Sequence, residues 1–158
     1  MRSRLHRVAS SVLGVLAATA AGGCGEHEFE PPSRAERVEE AAGRFDAASF
    51  DTIAWADQAQ RMLEGNAVYA AECRRCHGPL GRGDTDYARA NGLDVPSLVE
   101  PDWDFADDPI AVRRRIFTGH EAGMPTWGVA GITPREIDAV AAYLLEDLRP
   151  EVLDGSGP

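Results

Sequence analysis

The chain has 158 residues, a formal net charge of -10 and no lysine, since all 16 basic residues are arginines. That length suits one small domain with short additions. The negative charge argues against DNA, RNA and anionic lipid as direct partners, because phosphate groups are bound by clustered positive charge. Only 7% of the residues are aromatic, so the chain has material for a modest core and not for a large enzyme.

The first 23 residues predict an export signal. Arg2, Arg4 and Arg7 precede an apolar stretch without charge at 8–21, and two glycines follow it. About 14 apolar residues are too few to span a bilayer comfortably and are typical of the hydrophobic part of a signal peptide. The alternative is a short N-terminal helix of a cytosolic protein. We expect the exported, periplasmic location.

Cys24 directly follows this signal and is one of three cysteines, so the cysteines cannot all be paired in disulfides. The run Ala21-Gly22-Gly23-Cys24 resembles the lipobox of bacterial lipoproteins, although the family favours leucine where Ala21 stands. Cleavage near Ala20 or Ala21 is the competing interpretation. Since a lone exposed thiol is a liability in an oxidising compartment, we expect Cys24 to be lipidated and to anchor the chain to a membrane.

Residues 25–52 predict an acidic, flexible tether. The segment contains Pro31-Pro32 and few large apolar residues, a composition that buries little surface. A short solvated helix over 33–44 fits within it. The folded domain is expected at 53–150, and residues 151–158 are expected to be a disordered tail.

Three helices are predicted in this domain. In the first, at 56–73, a single face carries Met62, Gly65, Tyr69 and Cys73 at spacings of three and four residues. The second begins at Asp108-Pro109, an N-cap followed by proline, and ends near Thr118-Gly119. A further short helix is plausible at 84–90.

The third helix has the clearest sequence pattern. It starts at Thr133-Pro134-Arg135-Glu136, a capping box with proline in the first turn, and Pro150 is expected to stop it. Its apolar stripe consists of Ile137, Val140, Ala141, Leu144 and Leu148. No segment shows the alternation of a strand, so the predicted class is all-α with long loops.

The motif that carries chemistry is Cys73-Arg74-Arg75-Cys76-His77, the C-x-x-C-H sequence that attaches c-type haem. Two cysteines three residues apart at a helical end can form thioethers with two vinyl groups of one porphyrin, and His77 can then ligate the iron from the same side. A zinc site needs further ligands, and only His27, His120 and Cys24 remain. A redox dithiol of the thioredoxin type needs a βαβ setting. We therefore expect covalent haem c and its iron, held by Cys73, Cys76 and His77.

Met124 is the expected sixth iron ligand. It lies between Gly123 and Pro125, which can fix a rigid loop that presents one side chain. A thioether sulfur prefers ferrous iron and raises the reduction potential relative to bis-histidine ligation. His120, about one helical turn earlier, is the rival ligand, and a plain core methionine is the other alternative.

The ordered motifs CRRCHGPLGRGD, VPSL, IFTGH, GMPTW and ITPREIDAVAAYLLE resemble the class I cytochrome c family, most closely its bacterial mono-haem domains. The resemblance covers residues 60–148. It implies a cytochrome c fold of three to five helices wrapped around one haem c, in which Gly65 and Tyr69 meet Tyr143 on the last helix. Trp103, Trp127 and Pro96 line either the haem or the ordinary core.

This resemblance implies single-electron transfer rather than catalysis. With His77 and Met124 as axial ligands the iron binds no substrate, and the chain serves as a tethered carrier or as a subunit of a membrane respiratory complex. The alternative is a haem enzyme or ligand sensor with an open or displaceable sixth position, where His120 and Glu121 supply acid–base chemistry. Arg113-Arg114-Arg115 is either a solvated helix face, a propionate contact or a docking element.

Overall fold

A computed structural model describes residues 30–155, and this part of the chain is helical with no strand. The predicted export signal at 1–23, Cys24 and residues 25–29 lie outside the described residues, as do residues 156–158. In chain order the helices are α1 (Arg34–Arg44), α2 (Gln58–Val68), α3 (Arg74–His77), α4 (Asp86–Ala90), α5 (Pro109–Thr118), α6 (Trp127–Ala130), α7 (Pro134–Tyr143) and α8 (Arg149–Leu153). The all-α class predicted from the sequence is confirmed.

The centre of the fold is the crossing of α2 and α7. Gly65 of α2 is buried against α7, and a Cβ atom added there would collide with the Ala139 carbonyl oxygen and lie 2.6 Å from the Tyr143 Cβ atom. One turn further along, the Tyr69 and Tyr143 rings lie 5.6 Å apart, centroid to centroid. The predicted meeting of Gly65 and Tyr69 with Tyr143 is confirmed. Glycine is required here because it removes the side chain between two touching backbones.

A buried carboxylate fixes the other end of this crossing. Asp138 of α7 is 4% exposed. Its Oδ2 atom accepts hydrogen bonds from Trp55 Nε1 at 2.8 Å and from Arg61 Nε at 3.0 Å. Its Oδ1 atom lies 2.7 Å from Arg113 Nη2, which brings α5 into the same cluster. A buried charge is tolerated when it is paired in this way, so Asp138 holds three distant parts of the chain together.

The two crossing helices, α2 and α7, are each followed by a π-helical segment, at Tyr69–Cys73 and at Leu144–Leu148. Because of them, α2 runs on through the first segment into α3, and α7 runs on through the second into α8. The expectation that Pro150 ends the last helix is wrong: the helix continues to Leu153. A π segment breaks the regular i to i−4 ladder, and it ends two residues before the proline, which has no N–H to give to that ladder. The tail predicted as disordered from residue 151 therefore begins with helical residues.

The segment predicted as a flexible tether also differs from its expectation. Within 31–52 the chain forms α1, with a capping box at Ser33 and Glu36, and a 3₁₀ turn at Ala47–Phe50. Ala41 and Phe50 are buried, and the Phe45 ring meets the Phe117 ring edge-on at 5.6 Å. These few apolar residues are enough to dock this acidic segment on the rest of the domain, with Phe45 against α5. The tether was predicted from the overall composition of the segment, and composition does not show where along the segment its apolar residues lie.

No helix within residues 30–155 combines the length and the apolar character needed to cross a membrane.

Candidate cofactor site

The two cysteines of the C-x-x-C-H motif lie one helical turn apart, where the first π segment passes into α3. Both are free thiols and are not joined to each other as a disulfide. Burial, and to a smaller extent the neighbouring Glu72 and Cys76, raise the pKa of the Cys73 thiol to about 12. Two reduced cysteines on one side of a helix end fit the covalent attachment that the motif predicts.

His77 is turned into the protein and its Nδ1 atom is buried without a hydrogen-bond partner. Burial lowers the pKa of His77, and the nearby Pro96 carbonyl opposes this by raising it. The imidazole is thus kept neutral, which is the form that binds a metal. The ring faces a carbonyl acceptor, as metal-bound histidines generally do with their second nitrogen. Pro96, a candidate lining residue, lies beside this ring.

The loop after His77 is folded tightly around this imidazole. The Gly83 amide donates to the His77 carbonyl at 2.9 Å, and the Leu98 amide donates to the Gly81 carbonyl at 2.7 Å. The Tyr69 hydroxyl donates to the Gly78 carbonyl at 2.7 Å in a buried bond. A Cβ atom at Gly83 would collide with the Val95 carbonyl oxygen. The stretch from Gly78 to Leu98 therefore closes on itself and brings Pro96 to His77.

Met124 lies in a closed turn after α5. The His120 amide donates to the Met124 carbonyl at 3.0 Å, and the Gly123 amide donates to the His120 carbonyl at 3.0 Å. Gly119 precedes the turn with φ +68°, and a Cβ atom there would lie 2.5 Å from the Met124 carbonyl oxygen. Met124 is half-buried against the same hydrophobic core that Cys73 contacts. The turn fixes where the thioether is presented.

His120, the rival ligand, is exposed. Its Nδ1 atom accepts a hydrogen bond from the Ala122 amide at 3.2 Å and so helps to close the turn. In this arrangement one ring nitrogen already has a partner within the turn, whereas the Met124 sulfur belongs to a side chain that packs inward.

A cleft of about 530 Å³ lies between the last turns of α2 and the segment after Met124. Its walls include Val68, Ala71 and Glu72, which directly precede Cys73, and Trp127 and Ile132 on the opposite side. This volume is in the usual range for cofactor sites. A second cleft of about 350 Å³ is lined by Met124 and His120 and by Arg34, Arg37 and Val38 of α1. Both clefts reach Ala130, and only the second is lined by residues of the Met124 turn.

The arginine run on α5 contacts aromatic rings and Asp138, an environment that differs from the solvated face, propionate contact or docking element named as alternatives for it. Arg113 is paired with Asp138 and lies over the Phe50 ring, Arg114 lies over Phe45, and Arg115 lies over Phe105. Cation–π contacts of this kind are weak individually but orient the side chains. The three arginines therefore fasten α5 to surrounding aromatic rings.

Two residues that position the site carried no signal in the sequence analysis. Arg149 is buried and donates to the carbonyls of Leu98 and Glu100, the second at 3.1 Å, while its guanidinium lies over Trp103. It thus holds the end of the loop that brings Pro96 to His77. Asp138 is the second such residue. The only sequence feature that distinguishes Arg149 and Asp138 is a charged side chain within an apolar helical stripe.

Comparison with known proteins identifies a family and several relatives. The family model described as cytochrome c oxidase, cbb3-type, subunit III matches residues 60–144. The chain is 26% identical over 121 residues to the cbb3-type cytochrome c oxidase subunit CcoP of Rubrivivax gelatinosus, which covers 77% of this chain and 36% of that protein. It is 32% identical over 95 residues to CcoP of Rhodobacter capsulatus, covering 56% and 30%.

A third relative is subunit FixP of the cbb3-type oxidase of Azorhizobium caulinodans, 28% identical over 81 residues, covering 51% of this chain and 25% of that protein. The chain thus spans between about a quarter and about a third of the length of these curated relatives. No solved structure matches significantly.

Proposed function

The chain belongs to the family of cbb3-type cytochrome c oxidase subunit III, and from that membership we propose that it transfers single electrons through a haem c held by Cys73, Cys76, His77 and Met124. Covalently bound haem c with its iron is the cofactor of this family of c-type cytochrome domains. When bound, this cofactor supplies reversible one-electron exchange at the iron.

The proximal side of the site is built by α3 and the loop that follows it. Cys73 and Cys76 lie one turn apart and supply the two thioether sulfurs. His77 would supply a ring nitrogen to the iron; its buried Nδ1 atom has no hydrogen-bond partner, and the Pro96 carbonyl near the ring is the acceptor that could orient it. The bonds that close the loop from Gly78 to Leu98 keep that carbonyl in place.

The distal side depends on the Met124 turn, and this turn is the observation that carries the proposal. Gly119 and the hydrogen bonds between His120 and Met124 give the turn one closed form. The half-buried thioether of Met124 would hold the iron, would favour its ferrous state and would leave no iron position for a substrate. The resulting function is that of an electron carrier and not of an enzyme.

The proposed setting follows the relatives, which are named as subunits of cbb3-type oxidases. We propose that the chain works in the periplasm, with redox proteins of a membrane respiratory complex as partners. We also propose that residues 1–23 are an export signal of the lipoprotein type, and that Cys24 carries the lipid that tethers the domain. Tethering raises the effective concentration of such partners.

The test is the visible absorption spectrum of the protein matured with haem, oxidised and reduced, with and without carbon monoxide. A low-spin c-type spectrum with the weak far-red band of methionine bound to ferric haem, and no response to carbon monoxide, is expected. Met124→Leu should lose that band and bind carbon monoxide. Met62→Leu is the matched control, because Met62 lies on α2 before the attachment motif, and it should keep both properties.

A high-spin spectrum of the unmodified protein would contradict the proposal and indicate the haem enzyme or sensor instead. If the oxidised protein lacked the far-red band, and if His120→Ala rather than Met124→Leu opened the iron to carbon monoxide, the axial ligand would be wrong while electron transfer stood. Mass spectrometry of the membrane fraction tests the anchor, since an acylated Cys24 adds a mass that Cys24→Ser must remove.

A further inference from the structure

Helix α1 turns one face toward the rest of the domain. Within 34–45 the side chains that are wholly or partly buried are Val38, Ala41, Ala42 and Phe45, and the others are exposed. These positions are separated by three, four and seven residues, which is the spacing of a single helical face. The helix lies before residues 60–144, the part of the chain that the family model matches, and this face holds it to the domain.

The C-terminal end of this face reaches the segment after Met124 through one aromatic ring. Phe45 meets Phe117 edge-on at 5.6 Å, and the Arg114 guanidinium lies over the Phe45 ring at 5.9 Å. Phe117 also packs on Gly128 of α6, where an added Cβ atom would collide with the Phe117 ring. Phe117 thus connects α1 to the backbone that leaves the Met124 turn.

The N-terminal end of the same helix lies beside the turn itself. A Cβ atom placed on Gly123, the residue before Met124, would lie 3.5 Å from Arg34 Nη1. Val38, one turn further along α1, lines the second cleft together with Met124. Helix α1 is therefore connected to the chain both before and after Met124.

The Met124 turn depends on such outside support, because much of it is exposed. Residues 120–122 and Pro125 are exposed, and only a few backbone hydrogen bonds close the turn. Besides Arg34 of α1, Leu93 lies beside Gly123. Segments with few buried contacts open locally at a low cost in free energy. Contacts from α1 at both ends of the turn raise that cost.

We propose that α1 is a positioning element of the cofactor site. While it is docked, it holds the Met124 turn so that the thioether keeps the sixth iron position, and displacing it lets small neutral ligands reach that position. The inference rests on the proposed haem function and adds to it a control by the N-terminal segment. Residues 34–45 then decide whether the domain is a closed electron carrier or an open, ligand-binding haem protein.

The first test is hydrogen exchange in the reduced holoprotein, followed by NMR, because it reports on the turn whatever the axial ligand is. Glu39 is an exposed residue in the middle of α1. Glu39→Pro breaks the helix, since proline gives no N–H and clashes with the preceding turn, and Glu39→Ala removes the same charge but keeps the helix. We expect the amides of His120 and Gly123, which close the turn, to exchange at least about tenfold faster in Glu39→Pro than in Glu39→Ala.

The second test is the state of the iron in the same variants. Glu39→Pro should weaken the far-red band of the oxidised protein, lower the reduction potential and bind carbon monoxide when reduced, because the thioether is then held less firmly. Glu39→Ala should keep all three properties of the unmodified protein. Phe45→Ala should act in the same direction as Glu39→Pro, and Phe45→Leu, which keeps an apolar side chain, should restore part of the band.

A control for general loss of stability is Gly65→Ala, which acts at the α2–α7 crossing. It should leave the far-red band and the exchange of the turn amides unchanged. Equal loosening of the turn in Gly65→Ala and Glu39→Pro would overturn the proposal, because lower stability alone would then explain it.

Two further results would overturn the proposal. One is equal exchange of the turn amides in Glu39→Pro and Glu39→Ala. The other is faster exchange in Glu39→Pro with an unchanged band and no carbon monoxide binding, since the turn would then loosen without releasing the thioether. In these cases the unmodified protein keeps its far-red band, so the proposed function stands. Failure of the proposed function would show in the unmodified protein itself, as a missing band or ready carbon monoxide binding.

Discussion

The α2–α7 crossing and the attachment region are neighbours along α2, yet they are built on opposite principles. At the crossing the chain supplies its own hydrogen-bond partners and its own packing: both oxygens of Asp138 have arginine partners, and Gly65 brings two backbones into contact. Around α3 the chain leaves His77 Nδ1 without a hydrogen bond and a cleft of about 530 Å³ open beside Cys73. The crossing gives the domain its shape, and the attachment region is shaped for a group that the chain itself does not supply.

The largest effect is expected from removing the cofactor attachment, because this small core lacks apolar mass on the side of α3. The double variant Cys73→Ser, Cys76→Ser should lose most of its helical signal in far-UV circular dichroism. Cys24→Ser, which leaves the attachment motif intact, is the control and should keep that signal. Native helicity in the double variant would mean that the crossing alone is enough to fold the domain.

Asp138→Asn tests how far the crossing depends on its buried charge. It leaves Arg113 without a carboxylate and Arg61 with only Glu146, whose Oε1 atom lies 3.5 Å from Arg61 Nη1, while the two arginine side chains are 20% and 18% exposed. Breaking such a pair costs about 3–5 kcal/mol when it is fully buried, so we expect the free energy of unfolding in urea to fall by about 3 kcal/mol. Asp86→Asn is the control, since the pair of Asp86 with Arg89 is exposed; it should cost under about 1 kcal/mol. Equal losses would show that the burial of Asp138 is immaterial.

Gly65→Ala tests the close approach of the two helices. The new methyl group would meet the Ala139 carbonyl, a backbone atom that cannot turn aside, so the helices must separate. We expect a loss of about 2 kcal/mol in the free energy of unfolding, in the range of overpacked cores. At Gly43 of α1 a Cβ atom has nothing within 4 Å. Gly43→Ala should therefore gain up to about 1 kcal/mol from helix propensity, and a gain at both positions would refute the contact.

The smallest effect is expected for Tyr69→Phe, which keeps the ring against Tyr143 and removes only the bond to the Gly78 carbonyl. Leaving that buried oxygen unpaired should cost about 1 kcal/mol in urea unfolding. Tyr87→Phe is the control, because the Tyr87 ring keeps its place under Arg75 without its hydroxyl. The hydrogen bond between Tyr69 and Gly78 links the two regions, since Tyr69 belongs to the crossing and Gly78 to the site.

What the sequence allowed us to predict was local in the chain or spaced regularly along it. The N-caps at Asp108 and Thr133 and the glycine at position 65 were recognisable, because each follows from a few neighbouring residues or from helical spacing. The same holds for the attachment motif itself. Its assignment to haem, with Met124 as the second axial ligand, remains a prediction for spectroscopy to decide.

What escaped prediction depends on contacts between distant residues. Trp55 and Asp138 are 83 positions apart, and no local pattern indicates that they meet. The continuation of the last helix past Pro150 depends on a π segment, which helix propensities do not predict. The docking of α1 depends on Phe45 finding Phe117, a ring on another helix. Tertiary contacts determine all three, and they override local tendencies.

The close contact of α2 with α7 also sets an order of events in time. Cys76 leaves the ribosome 67 residues before Tyr143, and at about 5–20 residues per second this interval lasts several seconds. During that interval the chain has made its cysteines but not the helix against which α2 must pack. The contact of α2 with α7 therefore cannot form until the last helix has been made, and the attachment thiols are present in the chain before that contact closes.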